Sequence, residues 1–373
     1  MSGSQTKQTI IEQHQANVLL QAPTLSPMGR SQGNDLSVDQ PTMPPAPAII
    51  ESAATALEQG QTHYVPVPGI DPLREALAAY LKDMGAVEYG STHVLVTAGI
   101  QESRFLAIQM IGDQFDGIAL PQVVHPGARK AAGVRALDVS TLPVKAENGM
   151  LPSVSDIREC LASGCALLYL ESPSRLTGAI FDKAAVQEIA ALLQEFDAAA
   201  IWDQGLAPWV QDKTYTSLGA QPGMAERVAL LGEAWPGMGL ESWQVGYVAA
   251  NEEWWEYMRS QKQIMSICTS TPSQFAAVKA AELYGDLHPG QQAKLAEFQR
   301  QALDQLSKLN AKSLQGSAVN LVALQASDTR DIGAALRKGK FDFADGADFG
   351  APGVVRLSVT PDNAIHTALN QLA

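Results

Sequence analysis

The chain has 373 residues, 46% hydrophobic and 17% charged, which suits two or so folded units around a large apolar core. Its formal net charge of −13 argues against a nucleic-acid partner, which is held by clustered Lys and Arg, and reads instead as a solvated acidic surface. No apolar run approaches the roughly 20 residues of a membrane helix, so a membrane-spanning role is not expected. The cysteines Cys160, Cys165 and Cys268 lack metal-site spacing and fit free thiols in a reducing compartment. The opening MSGSQTKQTIIEQHQ has neither a basic n-region nor an apolar h-region, so the expectation is a cytoplasmic protein without a signal peptide.

Residues 1 to about 48 have no sustained period and end in PTMPPAP, which predicts an extended arm. Amphipathic helices are predicted over Ile49–Gln59 and over Asp71–Met84, the second with Pro72 in its first turn. Apolar runs then alternate with helical lengths. The runs are VLVTAG (94–99), GIALP (117–121), CALLYLES (165–172), AAAIWD (198–203), VALLG (228–232) and VGYVAA (245–250). Helices are expected over Glu102–Gly112, from about Pro126, and over Lys183–Phe196. Strands without polar alternation, each separated by a helix, predict an α/β fold with a mostly parallel sheet covered on both faces. Beyond Asn251 the pattern changes to helices over Glu252–Ile267, Pro272–Tyr284 and Gly290–Leu309. Short strands follow near Val319–Leu324 and Val354–Val359, with a closing helix from Asp362. The expected division is residues 1–61 as arm and part of a small domain, 62–250 as a large α/β domain, and 251–373 as a small α+β domain.

Six segments in order carry a resemblance. HYVPVPGIDPLREALAAYL resembles Y-x-P-x-x-G-x-x-x-L-R, and TAGIQES a glycine turn that opens a phosphate-cup helix. ESPSRLTG resembles N-P-x-N-P-T-G, and IWDQGL resembles D-E-x-Y. VALLGEAWPGMGLESWQVGYVAA resembles a cofactor-lysine segment, and FGAPGVVRLSVT a terminal strand bearing a carboxylate-binding arginine. Together they resemble the class I aminotransferases, pyridoxal-phosphate enzymes of fold type I, over nearly the whole chain. The resemblance implies that fold, with a seven-stranded type of sheet. It implies roles too: Asp203 as partner of the cofactor's pyridine nitrogen, Arg356 as grip for a substrate carboxylate, and Gly99, Ile100 and Gln101 as the phosphate-facing helix start. Tyr64 and Thr269–Gln274 match positions that serve a neighbouring subunit, which implies a homodimer.

The same alignment exposes departures. Counting back from Gly246 and Tyr247 puts Gln244 at the phosphate arginine, Pro236 at the Schiff-base lysine and Glu233 at the serine. Proline has no amine, so no internal aldimine forms there. Glu233 sets a carboxylate where a hydroxyl would meet a dianionic phosphate. Arg175 stands at the asparagine and Leu206 at the tyrosine that hydrogen-bond the cofactor. Asp39, in LSVDQPTMP, takes a glycine position flanking the substrate, and His125 the aromatic position that stacks on the ring. No lysine lies between Lys213 and Lys262. Lys130 and Lys262 read as solvated helix-face residues.

Asp39, His125, Asp203 and Glu233 are expected to face one interdomain cavity, with Arg356 and Arg175 as counterweights. Three readings follow. The first is a repurposed enzyme of specialised amino-acid metabolism that acts on a small amino-acid-like substrate without covalent pyridoxal phosphate. There His125, Asp203 and Glu233 carry acid–base chemistry while Arg356, Asp39 and Arg175 bind the substrate. A metal-using variant has the ligand types but no helical spacing to fix two of them. The second is a residual transaminase with pyridoxal or pyridoxamine phosphate held non-covalently by Asp203, Tyr64 and the start of the helix at Gly99. The third is a non-catalytic ligand-binding or partner protein.

Overall fold

The computed structural model describes residues 35–372 except 42, 212–213, 309–310, 315 and 326–330. The expectation for residues 1–34 of the arm lies outside the described residues. A short strand, β1 (Asp35–Leu36), precedes helices α1 (Pro47–Glu58) and α2 (Asp71–Asp83), each with proline in its first turn. Then come β2 (Val94–Thr97), α3 (Gly99–Gly112), β3 (Gly117–Pro121), α4 (Pro126–Arg135), β4 (Asp138–Leu142), α5 (Val154–Ala162) and β5 (Leu167–Glu171). They are followed by α6 (Lys183–Glu195), β6 (Ala199–Asp203), β7 (Val228–Glu233) and β8 (Gly246–Ala249). The remainder is α7 (Glu252–Met265), α8 (Thr271–Ser307), β9 (Lys312–Leu314), β10 (Leu321–Gln325), α9 (Ile332–Lys338), β11 (Asp342–Asp345), α10 (Gly346–Phe349), β12 (Val354–Ser358) and α11 (Ala364–Asn370).

The large sheet runs β2-β8-β7-β6-β5-β3-β4, with β8 alone antiparallel to its neighbours. Period-two alternation sorts its residues between two cores. Leu168, Leu170, Ala200, Trp202 and Leu230 enter one, while Leu167, Tyr169, Ala199, Ile201 and Leu231 enter the other, under α3. Both faces are therefore covered, as the continuous apolar runs predict. β4 is the strand that the pattern does not reveal: four of its five residues are exposed, so no apolar run marks it. A second sheet, β1-β11-β12-β10-β9, carries its own core of Leu321, Leu324, Leu357 and Leu369.

Two boundaries differ from the sequence reading. Helix α1, grouped there with the small domain, packs Ile49 and Ala53 into the core of the large sheet. Thr271–Ser307 is one helix of 37 residues running through Pro289 rather than two. Its first half places Ala276, Ala277 and Ala280 in the large core and its second half Leu295, Ala302 and Leu306 in the small one. Anchorage at both ends outweighs the local penalty of a proline inside a helix, about 3 kcal/mol.

Candidate functional site

Three adjacent parallel strands, β5, β6 and β7, end at their carboxyl termini in Glu171, Asp203 and Glu233. Glu171 and Asp203 are register partners, and Leu231 is the partner of Asp203, so Glu233 lies two residues further on. The carboxyl end of such a sheet is where open α/β folds gather ligand chemistry. A row of carboxylates there is unfavourable unless cations enter it.

Two arginines enter from opposite sides. Arg104, on α3, donates from Nε and Nη2 to Asp203 Oδ2 at 2.9 and 2.8 Å, and the Tyr169 hydroxyl donates to the same oxygen at 3.1 Å. Arg175, on the loop after β5, donates from Nη2 to Asp203 Oδ1 at 2.8 Å, and the Gly205 backbone N–H adds a bond of 3.1 Å to that oxygen. Nη1 of Arg175 reaches Asp39 Oδ2 at 3.0 Å and Glu233 Oε1 at 3.4 Å. Both oxygens of Asp203 are thus saturated, and Arg175 and Asp203 have no exposed side-chain surface. Gly205 is required: a Cβ there would fall 2.1 Å from Arg175 Nη2 and push the guanidinium off Asp203.

The lattice splits its acids into two kinds. Burial opposes the charge on Asp203, yet Arg175 and then Arg104 hold its carboxyl well below the usual range. Asp39 behaves likewise, its burial outweighed by Arg175 and Arg356. Glu171 and Glu233 go the other way. Burial, reinforced by Asp203, pushes Glu171 up to about 7. Burial, reinforced by Asp39, pushes Glu233 up to about 7. Oppositely displaced carboxyls in one site are the arrangement from which acid and base roles are drawn.

The segment Ser37–Gln40 straps across this lattice. Arg356 Nη2 donates to Ser37 O, Ser358 Oγ to Val38 O, and Asn320 Nδ2 to Asp39 O at 2.6 Å. Trp209 Nε1 donates to Gln40 Oε1 at 2.7 Å. Arg356 also donates from Nη1 to Arg175 O at 2.7 Å and lies 5.3 Å above the Phe349 ring. Burial, more than any neighbour, lowers its pKa to about 10. His125 caps α4, its Nδ1 accepting from Gly127 N at 3.0 Å, while its own N–H donates to Glu171 Oε1 at 2.8 Å. Burial, and after it Arg104, holds the imidazole well below its ordinary pKa, so the ring is neutral.

At the start of α3 the backbone that opens a helix at Gly99, Ile100 and Gln101 is present. Gly246 permits it: a Cβ there would stand 2.6 Å from Gly99 C and 2.9 Å from Ile100 N. Glu102 turns back to accept from Ala98 N and receives Lys262 Nζ at 2.7 Å and Ser266 Oγ at 2.9 Å. Lys262 is fully buried, which corrects its reading as a solvated helix-face residue: the anion that stabilises it arrives from 160 residues away in the chain. Lys130 is half-buried on α4. The loop around Pro236 is buried, with Gly237 against Trp209 and Gln291 and Gly239 against Pro45. Gln244 is exposed in a left-handed conformation, φ 54°, and lies against Gly99.

Of the residues singled out from sequence, Asp39, Arg175, Asp203 and Glu233 meet directly. Arg356 joins them through Arg175 O and the strap, and His125 through Glu171. Gln101 joins through Arg104 Nη1, at 3.3 Å. Tyr64 is 80% exposed, on a segment tied to α8 by Thr271 Oγ1 donating to His63 O at 3.2 Å. Sequence reasoning missed Arg104, Tyr169 and Glu171. Glu171 had a usable signal, since it closes an apolar strand as Asp203 does. Arg104 had none, because an arginine on a helix reads as solvated. Among the described residues no group of three or more His, Cys, Asp or Glu is placed to hold a metal ion, and no helix is long and apolar enough to cross a membrane.

The profile described as Aminotransferase class I and II matches residues 32–372. The aspartate/prephenate aminotransferase of Thermus thermophilus is 27% identical over 365 residues, 92% of each chain. The Bacillus subtilis protein YugH is 26% identical over 248 residues, 65% of this chain and 64% of that protein. A tetra mutant of Thermus thermophilus aspartate aminotransferase superimposes with a TM-score of 0.85 at 23% identity. That match covers 95% of this chain and 98% of the other, a likeness of fold alone.

Proposed function

The chain belongs to the aminotransferase class I and II family, and within it we propose a member that works without pyridoxal phosphate, as an acid–base enzyme on a small amino-acid-like compound. The observation that carries this reading is the saturation of Asp203. A pyridinium N–H needs one free carboxylate oxygen, and here Arg175 and Gly205 take Oδ1 while Arg104 and Tyr169 take Oδ2. Arg175 lies on the Gly205 backbone and is locked there by three carboxylates. The residues present do not fit the cofactor. For the same reason, a non-covalent cofactor on Asp203 requires first breaking a buried ion pair, with Arg175 at one oxygen or with Arg104 at the other.

Glu233 is the proton-exchanging group: it is raised to about 7 and its side chain is 17% exposed. A carboxyl poised near neutrality both gives and takes a proton, worth roughly 10²–10⁴-fold when it is aimed at a reacting atom. Asp39 supplies a fixed negative charge beside it. The backbone N–H of His125 holds Glu171 in place. The test is to incubate the protein with pyridoxal phosphate, reduce with borohydride and weigh it. The expected result is unmodified mass and no aldimine absorbance; a yellow protein with a reducible adduct would overturn the reading.

The same proposal includes a homodimer. Its support is an apolar surface on neighbouring segments: Tyr64 at 80% exposure, Ile264 at 82%, Met265 at 43% and Ile267 at 39%. A monomeric mass by light scattering would refute it. A cytoplasmic setting is proposed from the free thiols of Cys160, Cys165 and Cys268.

A further inference from the structure

Two of the three cysteines are brought together by the way one helix ends. Helix α5 stops at Ala162, and Gly164, at φ 103°, turns the chain through the left-handed region. The Gly164 N–H donates to Leu161 O at 3.0 Å, and the Cys165 N–H reaches back to Cys160 O at 3.3 Å. This pair of bonds is a helix stop that sets the side chains of its first and sixth residues against each other, usually as an apolar contact. Here both positions are cysteine, and the Cys160 thiol hydrogen-bonds to the Cys165 sulfur. Both residues are half-buried against the core of the large sheet, while Ala162, Ser163 and Gly164 between them are exposed. A small reagent therefore reaches the turn from solvent. The two thiols are unequal. The bond from Cys160 draws Cys165 down to about 7 against the opposing effect of its burial, and it raises Cys160. Near neutral pH Cys165 is thus partly thiolate, the nucleophilic form. Cys268 lies elsewhere, between α7 and α8.

We propose that Cys160 and Cys165 form a dithiol modification site, which a small-molecule disulfide converts into an internal disulfide across the helix stop. Cys165 attacks one sulfur of the reagent, so that a mixed disulfide forms as the reagent's own S–S bond breaks. The first thiolate leaves and takes up the proton that Cys165 gave to solvent. Cys160 then loses its proton, its sulfur attacks Cys165 Sγ, and the second thiolate leaves and is protonated in turn. Two protein thiols are oxidised by two electrons while one disulfide is reduced to two thiols, so electrons and protons balance. The backbone bond between the two residues already holds them side by side, and closing the bridge asks for side-chain rotation more than for movement of the chain. In a reducing compartment the pair stays as two thiols and closes only when oxidant rises. It lies beyond the amino end of β5, whereas the charge lattice lies at the carboxyl end, so the two sites are separate.

To test this, the full chain is reduced, freed of reductant and equilibrated near neutral pH with graded ratios of oxidised to reduced glutathione. Remaining thiols are blocked with N-ethylmaleimide, and tryptic peptides are weighed. Cys160 and Cys165 fall in one tryptic peptide, residues 159–175, and Cys268 in another. The expected product is the first peptide, two hydrogens lighter and carrying neither maleimide nor glutathione, with Cys268 outside the bridge. Cys160→Ser is expected to accumulate glutathione on Cys165, because the attack that would expel it is missing. Cys165→Ser is expected to slow the first adduct roughly tenfold, because the thiolate is lost. Thermal midpoints identify a variant that fails to fold, and the peptide from the unmutated chain is decisive without either. Both cysteines still blocked by maleimide at the most oxidising ratio would overturn the proposal. So would glutathione retained on the unmutated pair, a bridge to Cys268 or to a second chain, or a first adduct that forms equally fast in Cys165→Ser.

Discussion

Two places in this molecule match, by sequence resemblance, positions at the two ends of one cofactor, and they are built differently. At the strand ends, the side chains define the site: Arg104 and Arg175 occupy Asp203 from both sides in a lattice closed to solvent. At the start of α3, the backbone survives and a single acid, Glu102, folds back onto it with Lys262 as counterion. The first is a network, in which each ion is held by several others. The second is a pair with a hydroxyl for support. The contrast teaches that a helix start built from main-chain N–H groups depends little on its side chains, whereas a strand-end carboxylate is defined by the cations that reach it.

The contrast can be broken most forcefully at Asp203. Replacing it with alanine leaves two buried guanidiniums facing each other, and urea unfolding is expected to show a loss of about 3–5 kcal/mol. A loss below about 1 kcal/mol would mean that the lattice is not centred on this residue. Lys262→Met comes next, at roughly 1–3 kcal/mol by the same measurement, because Glu102 keeps the Ala98 N–H and the Ser266 hydroxyl. Equal losses at the two sites would erase the distinction between network and pair.

A third prediction uses pH. Glu171 and Glu233 have folded-state pKa values near 7, above the usual 4.5, so the native state binds more protons than the unfolded chain between those values. Stability is therefore expected to fall as pH rises through that window, and Glu233→Gln to flatten part of the fall. Asp39 and Asp203 are displaced downward and act oppositely, stabilising above the ordinary Asp range and losing that contribution only in strong acid. Thermal midpoints that rise from about pH 5 to about pH 8 would contradict the assignment. The smallest effect belongs to Arg300, whose partners Glu297 and Asp304 lie in solvent on α8. Arg300→Ala is expected to leave the midpoint within error and sets the floor for the other three.

The fold was readable because its evidence is local and repeated: apolar runs at strand length, proline-started helices and six motif segments in order. β4 escaped because an exposed edge strand needs no apolar run. The break in α8 was predicted because Gly285, Pro289 and Gly290 argue locally for a stop, while the packing that overrides them is distant. The site divides along the same line. Asp39, Arg175, Asp203 and Glu233 could be named by their places against motifs, yet nothing in the linear order says that Arg175 closes onto Asp203 and Asp39 together. Arg104 was passed over and Lys262 misread as solvated because buried cations on helices are recognisable only once their anions are placed.

Helix α8 has a mechanical consequence. It is a rod clamped at one end in the core of the large sheet and at the other in the core of the small one, and Pro289 lies between the clamps. Without an N–H, Pro289 cannot donate to the carbonyl of Gly285, so this turn is the most compliant part of the rod. Any movement of one core against the other then concentrates flexure between Gly285 and Gly290. Amide exchange is expected to be fastest there within α8 and to slow in Pro289→Ala; uniform exchange along the helix would place the compliance elsewhere.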